Sequence, residues 1–164
     1  MTTDRQSHSL HQNTTAATVN NGTTLQLSHA IYSSIVTHCR AELPNEACGL
    51  LVGRGSAFLV ERSIPIPNKH PQPLHSFAFD PIAWTSALYE LERLGQQIVG
   101  YYHSHPGTPP VPSSDDAAGL HSPDSALMLI LSLADSSPIA QAYRLDRSSL
   151  DSGRLFAEVT LKVM

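Results

Sequence analysis

The chain has 164 residues, of which 41% are hydrophobic, with a net charge of −4 and a sequence pI near 6.1. That length suits one domain with a sizeable core, and an acidic balance without a basic stretch argues against nucleic acid, where phosphate contacts dominate affinity. No apolar run reaches the roughly 20 residues that cross a bilayer, the N-terminus lacks a secretory apolar stretch, and two cysteines, Cys39 and Cys48, are too few for a small disulfide scaffold; a cytoplasmic location is expected.

Residues 1–24 are rich in Thr, Asn, Gln, Ser and His and predict a disordered tail in which His8 and His11 are solvated. Residues 25–164 predict a single domain. Ser28 predicts the N-cap of a helix that runs to about residue 43 and stops at Pro44. Ile31, Ile35, Cys39 and Leu43 recur every four residues as a buried stripe, with a buried thiol at Cys39; His29 and His38 fall off it and are expected to be exposed. Residues 47–54 and 57–66 predict two strands joined as a hairpin by a two-residue turn near Arg54-Gly55. Cys48 is expected to be a packed small residue.

The segment 65–75 carries four prolines and predicts a loop with His70 and His75 at its surface. Residues 76–79 predict a short strand. Asp80 then caps a helix that Pro81 opens and Gly95 closes, with Ile82, Trp84, Leu88 and Leu91 packing. Residues 97–105 are rich in β-branched and aromatic types and predict a strand that Pro106 ends. After the stiff loop Pro109-Pro110-Val111-Pro112, Ser113 predicts an N-cap with Asp116 completing a capping box. His121 is expected to point away from Asp116 on that helix. Apolar strands follow at 126–133, 139–145 and 155–163. Five to seven strands with three helices make a mixed α/β fold.

Two histidines dominate the chemistry. Side chains alternate along a strand, so His103 and His105 face one way and Ser104 the other. Their spacing of about 7 Å along that face suits two imidazoles converging on one ion, and Asp116 follows at a helix start. Two histidines and a carboxylate match the three-ligand pattern of a catalytic zinc, which keeps its fourth position for water. Glu46 is an isolated upstream acid.

These residues resemble the JAMM (MPN-plus) metalloprotease motif: His103-Ser104-His105-Pro106, six residues, then Ser113-Ser114-Asp115-Asp116, with Glu46 in Glu46-Ala47-Cys48-Gly49-Leu50-Leu51 upstream. The resemblance extends through Pro67-Asn68, Phe77-Ala78-Phe79-Asp80-Pro81 and Ile98-Val99-Gly100, covers about residues 25–146, and is closest to the short bacterial branch that includes a sulfur-carrier-protein peptidase. It implies the MPN fold, a curved mixed sheet flanked by helices. It implies a zinc peptidase or isopeptidase in which His103, His105 and Asp116 hold Zn2+, Glu46 is the general base and Ser113 supports the oxyanion. It implies cleavage after the C-terminal glycine of a ubiquitin-like partner, and the short chain favours a small bacterial sulfur carrier ending in Gly-Gly. The alternatives are a non-enzymatic zinc-binding scaffold and a RadC-like or phage-tail member of the same fold. Against the last two, no helix-hairpin-helix segment precedes the motif and no second domain follows it in this chain.

Overall fold

A computed structural model of the protein describes residues 22–55, 58–118, 127–145 and 156–164. The elements in chain order are β1 (Thr24–Leu27), α1 (His29–Ala41), β2 (Cys48–Gly53), β3 (Arg62–Ile66), α2 (Pro81–Leu94), β4 (Gln97–His105), α3 (Ser114–Ala118), β5 (Leu127–Ser132), β6 (Ile139–Leu145) and β7 (Phe156–Val163). The strands form one sheet in the order β1-β7-β6-β5-β4-β2-β3. The β1–β7 and β4–β5 pairs are parallel and the others antiparallel. The sheet curls so that the chain ahead of β3 reaches β1, where Gln26 N–H donates to Phe58 O and Val60 N–H to Gln26 O, both at 2.8 Å; β3 itself keeps an open edge. No described helix is long and apolar enough to cross a membrane.

β4 and β5 lie at the centre and are apolar on both faces, as strands covered on two sides must be. One face packs Ala47, Leu51, Val99, Tyr102, Leu127, Leu129 and Leu131 with Ile35, Val36 and Cys39 of α1. The other packs Cys48, Leu50, Tyr101, Met128 and Ile130 with Phe77 and with Ala87 and Leu91 of α2. Gly49 permits this closeness, since a Cβ there would lie 2.5 Å from Ile64 O and would strike the Tyr102 ring.

Helix signals acted locally where caps existed. Ser28 accepts from Ile31 N and caps α1, while Asp80 accepts from Ile82 N and Ala83 N and caps α2, which closes on Gly95 at φ 60°. Packing faces departed from expectation. α1 ends at Ala41, so Leu43 leaves the stripe and is 46% exposed. On α2, Ile82 is 79% and Leu88 40% exposed, because the helix docks through Ala87 and Leu91 with Ala83 and Trp84 beside them. His38 is half-buried rather than exposed, with Nδ1 2.9 Å from Tyr102 Oη.

The hairpin forms, but Val52 pairs with Arg62, so its connection is far longer than two residues. Pro65 belongs to β3 rather than to the loop; β3 ends the sheet order, where a missing N–H costs no ladder bond. Residues 76–79 contribute one bridge, Asn68 with Phe79, rather than a strand. β1 starts at Thr24, inside the segment whose composition predicts a tail; residues 1–21 and His121 lie outside the described residues.

Candidate metal centre and active site

β4 carries the site at its C-terminal end. His103 and His105 follow Tyr101 on the α2 side of the sheet, and Ser104 faces α1. β4 pairs with β2 so that His103 lies beside Cys48, and Ser104 N–H donates to Ala47 O at 2.9 Å. Continuing that antiparallel pairing sets Glu46 beside His105, on the face that the two imidazoles share. Ser104 adds a second link: its Oγ accepts Ala47 N–H at 2.8 Å.

The third donor arrives through the proline loop. Ser113 and Asp116 cap α3 reciprocally, with Ser113 N–H donating to Asp116 Oδ2 at 2.6 Å and Asp116 N–H to Ser113 Oγ at 3.2 Å. This box turns the Asp116 carboxylate inward. Asp116 Oδ1 is 3.2 Å from His103 Nε2, Asp116 Oδ2 is 3.6 Å from His105 Nε2, and the two Nε2 atoms are 3.2 Å apart. Among the described residues, these three make the only group of this kind that could hold a metal ion. All are buried: His103 is 0%, His105 5% and Asp116 2% exposed.

The spacing fits an ion. Two ligand atoms each about 2.0–2.1 Å from a tetrahedral zinc lie roughly 3.3 Å apart, close to the separations found here. His105 Nδ1 is 2.8 Å from Pro109 O. A carbonyl only accepts, so the ring proton sits on Nδ1 and Nε2 is left to face the cluster. His103 stacks on Phe77 with ring centroids 4.5 Å apart, and its Nδ1 is buried with no hydrogen-bond partner.

The two carboxylates differ in charge state. Asp116 is held well below the usual carboxylate range: burial opposes its charge, but the two imidazoles beside it, His103 foremost, and the Ser113 N–H outweigh it. Glu46, 4% exposed, is pushed up to about 7, chiefly by burial, with His105 partly offsetting and Asp116 and Asp115 adding repulsion. Its Oε2 has no hydrogen-bond partner. Burial lowers the pKa of His103, whereas His105 is raised, because Asp116 and the Pro109 carbonyl outweigh its burial.

The family of prokaryotic homologs of the JAB domain matches residues 28–146. The chain belongs to that family. A Thermus thermophilus protein named as a probable TtuB-protein conjugate cleaving protease is 41% identical over 95 residues, 58% of this chain and 62% of that protein. A Haloferax volcanii desampylase is 36% identical over 96 residues, 56% of this chain and 69% of its own. The CysO-cysteine peptidase of Mycobacterium tuberculosis is 30% identical over 100 residues, 61% and 68% of the two chains. The alignment thus spans less than two thirds of the Thermus relative. The solution structure of a Desulfitobacterium hafniense protein superposes with a TM-score of 0.73 at 31% identity, over 85% of this chain and 92% of that one. A JAB1/MPN domain protein from Archaeoglobus fulgidus superposes at 0.55 and 20% identity, covering 86% and 98%, and shares the fold. The expected MPN fold, a curved mixed sheet with helices, is therefore the fold of this JAB-domain chain.

Every expected site residue converges at one end of β4 except Ser113, which is exposed at the rim with its Oγ toward Asp116 N. Cys48 is buried beside His103; its thiol donates to Ile66 O at 3.3 Å and burial pushes its pKa up to about 12, so it stays a packed thiol. Asn68 belongs to the Pro67-Asn68 stretch over which the resemblance extends, outside the motif itself. Its side chain donates to Glu46 O at 2.9 Å and Ser76 O at 3.0 Å and accepts from His70 N and Ala78 N, fixing the loop beside Glu46. Ser104 and Phe77 were also not singled out. The Pro-Asn pair amid prolines was the signal for Asn68, since Asn is the residue that bonds nearby backbone in turns.

Proposed function

We propose that this JAB-domain protein is a metal-dependent peptidase that hydrolyses the amide bond after the C-terminal glycine of a small ubiquitin-like protein. The observation that carries the reading is the pairing of a buried, unpartnered acid, Glu46 Oε2, with a three-donor cluster of two imidazoles and an ionised carboxylate.

His103 Nε2, His105 Nε2 and Asp116 would hold the ion, and an N2O donor set with three protein ligands suits zinc. The ion would supply Lewis acidity, polarising the scissile carbonyl and making water more acidic. Glu46 takes the proton from the attacking water and delivers it to the departing amine. Its carboxyl is free for this because no hydrogen bond engages Oε2, and a positioned carboxylate can serve as general base and then as general acid. Ser113 Oγ accepts from Asp116 N, which leaves its own proton to donate toward the oxyanion that forms on the substrate. The segment around Pro73, whose carbonyl accepts Glu46 N–H at 2.7 Å, holds the backbone at Glu46, and the proline loop leads from His105 to Asp116.

The relatives named for conjugates of TtuB and CysO support a carrier-like partner. An extended glycine tail can add along an open strand edge, and β3 ends the sheet. The acid chain, without a basic stretch, fits a protein partner rather than nucleic acid, in the cytoplasm. The test is a fusion of a ubiquitin-like protein ending in Gly-Gly to a reporter peptide, incubated with zinc-loaded and chelated protein. Cleavage after the second glycine by the loaded form alone is expected. An intact fusion beside stoichiometrically zinc-loaded protein would replace the peptidase reading with a scaffold.

A further inference from the structure

The loop between His105 and Ser113 cannot organise itself. Pro109, Pro110 and Pro112 have no N–H to give, and among the described residues one short-range backbone bond forms within it, Val111 N–H to Pro109 O at 2.8 Å. Its carbonyls are instead taken in succession by three side chains from three adjacent strands. Ser132 Oγ on β5 donates to Thr108 O at 2.6 Å, His105 on β4 to Pro109 O at 2.8 Å, and Tyr143 Oη on β6 to Pro110 O at 2.7 Å.

Both outer donors are fixed. Ser132 lies beside His105 in the β4–β5 register and is 3% exposed, and its Oγ also accepts Ala134 N–H at 3.3 Å, which turns its proton toward Thr108. Tyr143 is 7% exposed, and its ring meets Phe156 edge-on. Burial keeps the phenol protonated, with Glu158 adding to the shift. His103 has no equivalent: its Nδ1 is unpartnered. The loop therefore acts on one of the two imidazoles.

We propose that Ser132 and Tyr143 are positioning residues for the metal centre: they latch the proline loop by its backbone, so that Pro109 O holds His105 in the tautomer and orientation that aim Nε2 at the ion. The inference rests on the metal reading above and deepens it. Partners behind a ligating histidine tune affinity by roughly 10–100-fold, and residues acting through a loop belong at the lower end.

The experiment uses the full chain and the variants Tyr143→Phe and Ser132→Ala. Tyr143→Phe keeps the ring and its contact with Phe156. Zinc affinity is measured by competition with a chromophoric chelator, the visible spectrum of the cobalt-loaded protein is recorded, and melting is followed without metal. About tenfold weaker zinc binding in each variant, a larger loss in the double variant and an altered cobalt spectrum are expected. Affinity within twofold of the unmodified chain, whatever happens to melting, removes that residue from the latch; both unchanged overturns the proposal. An unmodified chain that takes up no zinc overturns the metal reading instead, and the latch with it.

Discussion

Glu46 and Asp116 are buried acids at the same end of the sheet, 4% and 2% exposed, yet their environments drive them in opposite directions. Asp116 meets two imidazoles and a backbone N–H and stays charged. Glu46 has burial as its main influence and is held near neutrality, at a pKa of about 7. Burial alone does not decide a carboxyl's charge; the donors placed around it do. On the proposed reading, two titratable groups pushed apart in this way would divide the labour of a hydrolytic site, one binding and one moving protons. The division comes from chain order. Asp116 follows a loop that carries it to the imidazoles, while Glu46 lies just ahead of the neighbouring strand β2.

The most damaging test of that division is Asp116→Asn. It keeps the shape and removes the charge, so stoichiometric zinc uptake and hydrolysis are both expected to vanish, as read by metal analysis of dialysed protein. Glu46→Gln should behave otherwise, retaining zinc while slowing hydrolysis by roughly 10²–10⁴-fold. A Gln variant that turns over normally would strip Glu46 of its role, and one that loses zinc would make it a ligand.

Ser113→Ala sharpens the same contrast. Asp116 keeps its two imidazoles and the Ser113 N–H, which is backbone, so zinc affinity should hold. Loss of an oxyanion donor should slow hydrolysis by about 10²–10³-fold. If Ser113 only caps, stability falls by about 1 kcal/mol and the catalytic rate stays put.

The parts of this arrangement that could be read from the sequence were those governed by neighbours in the chain. β4, residues 97–105, and α2, residues 81–94, have the expected bounds because a strand pattern ending at Pro106 and the Asp80-Pro81 and Gly95 signals act locally. His103 and His105 share a face for the same reason. What stayed hidden depends on distant partners. β1 is four residues long and pairs with β7, at the opposite end of the chain. The buried face of α2 follows Ala87 and Leu91, with Ala83 and Trp84 beside them, because those positions meet the sheet, not because Ile82 is less apolar. Leu43 fits the stripe by spacing, but α1 has already ended. At the site, the Ser113–Asp116 box was legible as a four-residue pattern. The bonds that Ser132 and Tyr143 send to the proline loop were not, because nothing near either residue marks it as a loop anchor.

The smallest expected effect isolates the carboxylates in the metal-free chain. Glu46 ionises near 4.5 when unperturbed and near 7 when folded. Its stabilising contribution is therefore complete below about 4.5 and is lost as pH rises through about 7, because the folded state resists the charge that the unfolded state accepts. Asp116 has the reverse sign. Its pKa is depressed, so its contribution is present above its ordinary value of 3.8 and lost only as pH falls further. Between pH 5 and 8 it is constant, and Glu46 supplies the difference between the native chain and Glu46→Gln. Glu46 and His105 interact directly, so the pH-dependent gap reports that pair rather than Glu46 in isolation. The Gln variant should exceed the native chain at pH 8 by on the order of 1 kcal/mol or more. The gap should shrink toward zero by pH 4.5, as read from urea unfolding midpoints with chelator present. A gap that does not change with pH would mean that Glu46 ionises as freely folded as unfolded, and the contrast between the two acids would then rest on Asp116 alone.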